Sequence, residues 1–476
     1  MRVVFLGLLW TLSGCGFSAN HYLLIDQSLL ANDPRRADAI MAQAESEYGS
    51  RNRLLYDMDR GMTLHLAGDY VQSNSLLEQA SLEVERLYTR TIRTETAAFL
   101  TNDTMLPYEG DPYEHVMINV IKALNYAAMG QLMEAVVEAR QIDHRLNVLS
   151  DSAKEKDGYR EDAFARYLTG VLYEATGDLN NAFIAYRKAY EIYESTRGWA
   201  RTPMPPMLRA DLLRTTDALH MTAEFEEYRR QFPDTGWVSL QGQPDLAQVV
   251  VIGYNGRAPR KEEVHLDIPV SLGALQLVLL NRGVIHASNR QERRVADSVL
   301  YGLNGRVVRV ALPRLVPQKT QVSHESITLV PRNGEPITGQ SQLMYNGTAL
   351  AEKSLSDRIP GITTKALARA AVKFTAAEAA TRGSQHAVNK GDAAWVGLLV
   401  GLLTHGLAVA SEVADTRSWR TLPDEIQISR LWVPAGEYES RIQPVLRSGG
   451  APQAGVSRPL VLRAGHTVFL IERVVL

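Results

Sequence analysis

Three segments in the first half of this chain carry one template, and that template leaves few ways for them to pack. "DRGMTLHLAGDYVQSNSLLEQA" places Gly61, Leu64, Gly68, Ser73, Leu77 and Ala80 at successive spacings of 3, 4, 5, 4 and 3. "IKALNYAAMGQLMEAVVEARQI" repeats the spacings with Ala123, Tyr126, Gly130, Ala135, Ala139 and Ile142. "LTGVLYEATGDLNNAFIAYRKA" does so with Gly170, Tyr173, Gly177, Ala182, Tyr186 and Ala189. Residues three and four apart share one helix face. Small residues on that face let two antiparallel helices approach, large ones fill the groove between them, and the glycine turns the chain. Tyr126, Tyr173 and Tyr186 therefore read as packing residues rather than as a binding stripe.

The small–large–Gly–Ala–aromatic–Ala order resembles the tetratricopeptide repeat, which implies an α-solenoid with a concave surface for peptides or helices. The spacing departs from that family. The turn glycines are 62 and 47 residues apart, against about 34 for the repeat, so each pair carries a longer helix or an insert. One insert is "LTNDTMLPYEGDPYEHV", where Pro107 and Pro112 cannot continue a helix. Its Tyr108, Glu109, Asp111, Tyr113 and Glu114 put two aromatics and three carboxylates on one loop. That loop is a candidate partner contact, with a loop pinned against the solenoid as the equal alternative. An earlier helix is expected to start at Asp33-Pro34, with Pro in its first turn, and one closing helix to span Pro206 to Arg230. These two would cap a solenoid over residues 33–235.

Beyond "QFPDTGWVSLQGQPD" the character changes. Fifteen of the nineteen tyrosines precede residue 237, whereas the remainder is punctuated by Gly and Pro. "AQVVVIGYNG", "EEVHLDIPV", "GRVVRVALP", "ESITLVP", "GQSQLMYNG", "DEIQISRLWVP", "GEYESRIQPVL", "RPLVLRAG" and "HTVFLIERVVL" read as strands of an antiparallel sandwich or barrel over residues 236–476. The expected fold is thus α+β: a solenoid, then a β-rich domain with helices inserted at about 361–415. The second inserted helix holds an uncharged run at 393–410, about 27 Å long, close to the roughly 30 Å of a membrane core. Gly397, Gly401 and Ala408 face-match Ala366, Ala370, Ala377 and Ala380 of the preceding helix, which favours a tight hairpin on the sheet over a span. After it, Asp415, Arg417, Trp419 and Arg420 concentrate charge and indole. They could grip a carboxylate or a sugar through a guanidinium fork and a stacking face; an interdomain latch is the preferred reading.

The N-terminus adds an address. Arg2 precedes an apolar run from Val3 to Leu12, too short to span a bilayer. "LSGC" follows and resembles the bacterial lipobox at all four positions. The resemblance implies cleavage after Gly14, acylation of Cys15, a signal peptide at 1–14 and a lipid-anchor tether at 15–32. Gly16, in place of Asp, favours the outer membrane, facing the periplasm. Cys15 is the one cysteine in 476 residues, so the mature chain has no disulfide. With "PYEGDPYEHVMIN", "YLTGVLYEATGD" and "ADTRSWRTLP", the chain resembles a family of bacterial lipoproteins with tetratricopeptide-like helices and a β-rich end. That family is often encoded beside small lipoproteins that activate peptidoglycan synthases. The resemblance implies a neighbourhood and no mechanism.

Chemistry leaves little trace. The chain has no G-x-S-x-G, S-x-x-K, H-E-x-x-H, Walker A or G-x-G-x-x-G pattern. Its eleven histidines include no i, i+4 pair, and neither a metal nor a cofactor is indicated. The balance of 51 basic and 53 acidic side chains argues against nucleic acid as a partner. The sequence points to a non-enzymatic envelope scaffold that binds a protein or peptide through its repeats and meets the membrane through its acyl chains. The alternatives are a glycan-acting enzyme and a membrane-inserted subunit of a secretion complex using residues 393–410.

Overall fold

The computed structural model describes residues 20–91, 103–152, 161–239, 245–269, 307–383, 413–449 and 455–474. Gly14, Cys15 and the apolar run 393–410 lie outside the described residues. The first half is a row of helical hairpins. It begins with α1 (Asn20–Leu30) and α2 (Pro34–Gln43), followed by the short α3 (Glu45–Tyr48). Next come α4 (Arg53–Ala67) with α5 (Tyr70–Thr91), α6 (Pro112–Ala128) with α7 (Leu132–Ser152), and α8 (Ala163–Ala175) with α9 (Leu179–Thr196). Gly68, Gly130 and Gly177 turn these three pairs in the left-handed backbone region, at φ of 79°, 73° and 82°, where a side chain would be strained.

Volume complementarity holds each pair. A Cβ on Gly61 would come within 2.7 Å of Leu77, and one on Gly170 within 2.5 Å of Tyr186. Where the first helix instead carries Ala123, the second answers with Ala139, and both are fully buried. Asp33 caps α2 by accepting from the Arg36 N–H at 3.0 Å, so that helix starts where the Asp-Pro pair places it.

In the helical half two expectations need correction. The closing segment is two helices, α10 (Pro206–Ala218) and α11 (Thr222–Gln231). His220 turns it at φ 55°, taking the glycine's place with a side chain that tolerates this region. Residues 20–32 are not tether: α1 packs Tyr22, Ile25 and Leu29 into the main core.

The second half contains β1 (Leu246–Asn255), β2 (Arg257–Pro269), β3 (Val307–Gln318), β4 (Val322–Pro331), β5 (Ile337–Gln340), β6 (Gln342–Asn346), α12 (Gly347–Gly383), β7 (Glu425–Pro434), β8 (Gly436–Leu446), β9 (Val456–Leu462) and β10 (Thr467–Val474). One sheet runs β10-β1-β7-β6 and a second β5-β4-β8-β9, with β2-β3 as a separate ribbon. Pairing is antiparallel except between β1 and β10, which run parallel. "GQSQLMYNG" is not one strand. The chain changes sheets at Ser341, whose hydroxyl accepts from Glu325 N–H at 2.8 Å and donates to Gln427 at 2.6 Å. The inserted helix begins at Gly347 and continues through Pro360, earlier than the Pro-Gly pair suggests. It sets Ala366 against Val310 and Leu312 of β3.

Strand β1 is buried along nearly its whole length because its sheet is covered on both sides, which makes "AQVVVIGYN" read as an unbroken apolar run. Val249 and Val251 face Ile327, Leu329 and Ile442 of the second sheet. Val250, Ile252 and Ile428 join a core that continues into the solenoid through Leu124, Phe164 and Leu212. The two halves of the sequence therefore share one hydrophobic core.

Candidate interaction site

The first helix of each hairpin faces the sheet. Alternation along β7 aims Ile426, Ile428, Arg430 and Trp432 at the solenoid, and Arg430 enters it completely. Its Nη2 donates to Glu174 at 2.7 Å, and its Nη1 donates to Asp211 at 2.8 Å and to the Tyr186 hydroxyl at 2.9 Å. Arg214 brings a second guanidinium to the same carboxylates, 2.7 Å from Glu174 and 2.5 Å from Asp211. Tyr186 and Tyr167 hydroxyls donate to Glu174 and Asp211, each at 2.6 Å. Trp432 lies against both guanidiniums, 4.2 Å from Arg214 and 4.9 Å from Arg430.

This quartet is charge-balanced and its four side chains are at most 5% exposed. Burial alone would push the Glu174 carboxyl up, but Arg214 and Arg430 outweigh it and hold it well below the ordinary range. Burial lowers the Arg430 pKa and Asp211 and Tyr186 more than reverse that. Such a pair adds little net stability over an apolar isostere, but removing one partner strands a buried charge. The arrangement can therefore select a single pose of the sheet against the repeats.

A second junction joins the insert to the charged cluster. Glu114 accepts from Asp111 N–H at 2.9 Å, closing half of a capping box for α6. It also accepts from the Tyr108 hydroxyl at 2.6 Å and from Trp419 N–H at 2.8 Å. Asp111 pairs with Lys261 at 2.9 Å and with Arg358. All five N–H groups of Arg417 are spent on protein acceptors. They reach both oxygens of Asp415, the Asn52 side chain and the carbonyls of Asp103 and Leu106, at 2.6–3.1 Å. None remains for a carboxylate or sugar ligand. Trp419 is fully buried and donates through Nε1 to Thr421 at 3.0 Å. Thr421 in turn donates to Asp59 at 2.9 Å, whose carboxyl burial raises to about 6.

The structure thus brings Tyr108, Asp111, Tyr113 and Glu114, all buried, against Asp415, Arg417 and Trp419, and leaves the fifth of these loop candidates, Glu109, exposed. Arg420 stands apart, its guanidinium 4.3 Å from the Tyr22 ring. The template residues Ala80, Ala123, Ala135, Ala182, Tyr186 and Ala189 are fully buried, Tyr173 nearly so, and Tyr126 partly. The sequence reading missed Arg430, Glu174, Asp211 and Arg214. The available signal was a lone arginine on the apolar face of "EIQISRLWV".

A cavity of about 340 Å³ lies at the edge of the sheet, lined by His65, Tyr70, Arg458, Glu472 and Arg473 among others. His65 donates from Nδ1 to Asn125 at 2.5 Å and accepts at Nε2 from the Tyr254 hydroxyl at 3.0 Å, and burial lowers its pKa to about 4. Among the described residues no group of three His, Cys, Asp or Glu could hold a metal. No described helix is long and apolar enough to cross a membrane.

The fold and its junctions define a helical-repeat protein whose inner helices clamp its own β-sandwich. The chain matches no protein-family model and no curated protein. Among solved structures it is similar to MamA 41-end from Desulfovibrio magneticus RS-1, at 13% identity over 46% of this chain and 95% of that one, with a TM-score of 0.28. It is also similar to a Podosopora anserina putative kinesin light chain with nearly identical TPR-like repeats, at 17% over 45% and 92%, with a TM-score of 0.30. PilW, a type IV pilus biogenesis factor, is similar at 17% over 44% and 90%, with a TM-score of 0.22.

Proposed function

We propose that this protein is a non-enzymatic, lipid-anchored scaffold of the bacterial envelope that holds a protein partner on the outer helices of its repeats. Cys15 carries the acyl chains in the outer membrane, and the folded chain faces the periplasm. One observation carries the partner reading. The inner helices are occupied by the protein's own sheet, while exposed apolar side chains recur at equivalent positions on the outer ones. Val71 and Met133 each stand three residues after a turn glycine, and Val137 and Ile184 each stand seven after one. All four are exposed, Met133 by 66%. Isolated surface apolars need no explanation, but a recurrent set marks a contact surface. The resemblance to lipoproteins encoded beside activators of peptidoglycan synthases points to a partner in that process.

Photocrosslinkers placed at Met133 and Val137 in cells test this. The expected result is capture of one and the same envelope protein from both positions, lost when Ile184→Glu is added. Capture of nothing above the level seen from the exposed Arg332, just past β4, would overturn the outer-face reading.

A further inference from the structure

We infer that the exposed face of α1 rests in the membrane interface and sets the orientation of the whole molecule; this rests on acylation of Cys15. The buried side of α1 is His21, Tyr22, Ile25, Ser28 and Leu29. Its other side exposes Leu23 by 62%, Leu24 by 49% and Leu30 by 56%, with Gln27 and Ala31 between and beyond them. Positions 23, 27 and 30 and positions 24 and 31 form one stripe at helical spacing. No charge interrupts that stripe. The one acidic residue of the helix, Asp26, is turned to the protein and paired with Arg257. Arg35 and Arg36, in the first turn of α2, are exposed beyond α1, with the exposed Asp33, the cap of α2, between.

An uncharged, leucine-bearing helix face with exposed arginines at the start of the next helix suits a helix lying in the plane of an anionic interface. The chain length places it there. Asn20 stands five positions beyond Cys15, and five residue steps reach about 18 Å at full extension. Acyl chains on Cys15 therefore keep the start of α1 within that distance of the bilayer. A leucine face held so close to lipid buries apolar surface by settling into it. The interior side of α1 is fastened by Tyr22, which donates to Asp59 of α4, so the solenoid follows the helix. The α1–α2 end then lies against the membrane and the later hairpins project into the periplasm, carrying Met133, Val137 and Ile184 away from lipid.

The lipidated full-length protein, reconstituted in phosphatidylethanolamine–phosphatidylglycerol vesicles, provides the test. With Cys15 acylated, the single-cysteine variants Leu23→Cys, Leu24→Cys and Leu30→Cys can each carry an environment-sensitive fluorophore, with Val71→Cys and Met133→Cys as references. Labels on α1 are expected to shift to the blue and to be quenched several-fold more by lipid-borne nitroxide than the reference labels. Co-flotation with vesicles, but reference-like emission from all three α1 labels, would overturn the inference and leave the anchor intact. Labels shielded from water yet not quenched from the lipid would mean a second copy or another part of this chain covers the face, and would overturn it as well. Absence of flotation would sink the anchoring reading itself, and the inference with it.

Discussion

The two sides of the helical repeats are built in opposite senses. The inner side buries Asp211, Arg214, His65 and Asn125 and covers the Glu174 side chain, whereas the outer side exposes Val71, Met133, Val137 and Ile184. Burying charge and exposing apolar surface are both costly for an isolated solenoid. The inner side recovers that cost because Arg430 arrives on β7 with the complementary charge. The difference teaches that the groove expected to receive a partner is committed within the chain, which is why the proposed association is assigned to the other side.

The largest effect should come from breaking the inner quartet. Arg430→Ala leaves Glu174 and Asp211 with one guanidinium between them, and should cost about 3–5 kcal/mol, read as a lowered urea midpoint. Replacing Glu174, Asp211, Arg214 and Arg430 together by apolar residues should cost much less, because no charge is stranded. A quadruple variant as unstable as Arg430→Ala would refute the pose-selecting role of this site.

Glu325, on β4 of the second sheet and set against Gly253 of β1, sharpens the contrast. Glu174 keeps two arginines; Glu325, fully buried, has the Asn255 amide at 3.2 Å and no ion pair among the described residues. Burial raises its carboxyl from 4.5 to about 7, and Glu472 adds to the rise. A group raised on folding contributes stability that is complete below its unfolded pKa and is lost as pH climbs through the folded one. Wild type should therefore lose on the order of 3 kcal/mol between pH 4.5 and 7 through this group, at about 1.4 kcal/mol per unit. Glu325→Gln should flatten that slope, and an unchanged pH profile in urea would exclude the assignment.

Hairpin packing comes next. Gly61→Ala drives a Cβ into Leu77 and should cost about 1–3 kcal/mol by overpacking. Adding Leu77→Ala recreates the Ala123–Ala139 pairing of the next hairpin and should recover part of the loss. The two substitutions should thus couple in a double-mutant cycle; strict additivity would show that the glycine is not there for the leucine.

These contacts differ in how well a sequence can announce them. The hairpins were legible because small and large residues fall at fixed local spacing and the turn needs glycine. The fourth was hidden: His220 replaces the glycine, and Leu213, Phe225 and Arg229 stand where small and aromatic residues are expected. The strands were legible from alternation, but the switch at Ser341 was not, since it depends on hydrogen bonds to two other strands. Arg430 and Glu174 are 256 residues apart, and no local pattern links them. The insert and the charged cluster each stood out by composition; that Trp419 N–H closes on Glu114 is a fact of tertiary assembly.

The smallest effect on stability should come from the outer side, and that is its diagnostic value. Met133→Gln with Val137→Gln removes exposed apolar surface that touches little of this chain, so stability should stay within about 0.5 kcal/mol. Partner capture should nevertheless fall sharply, because contact surfaces concentrate their energy in a few apolar anchors. Arg430→Ala should do the reverse, weakening the fold while any surviving folded fraction still binds. If the outer variant instead melts early, these side chains are covered by another part of the chain, and the contrast between the two sides would have to be redrawn.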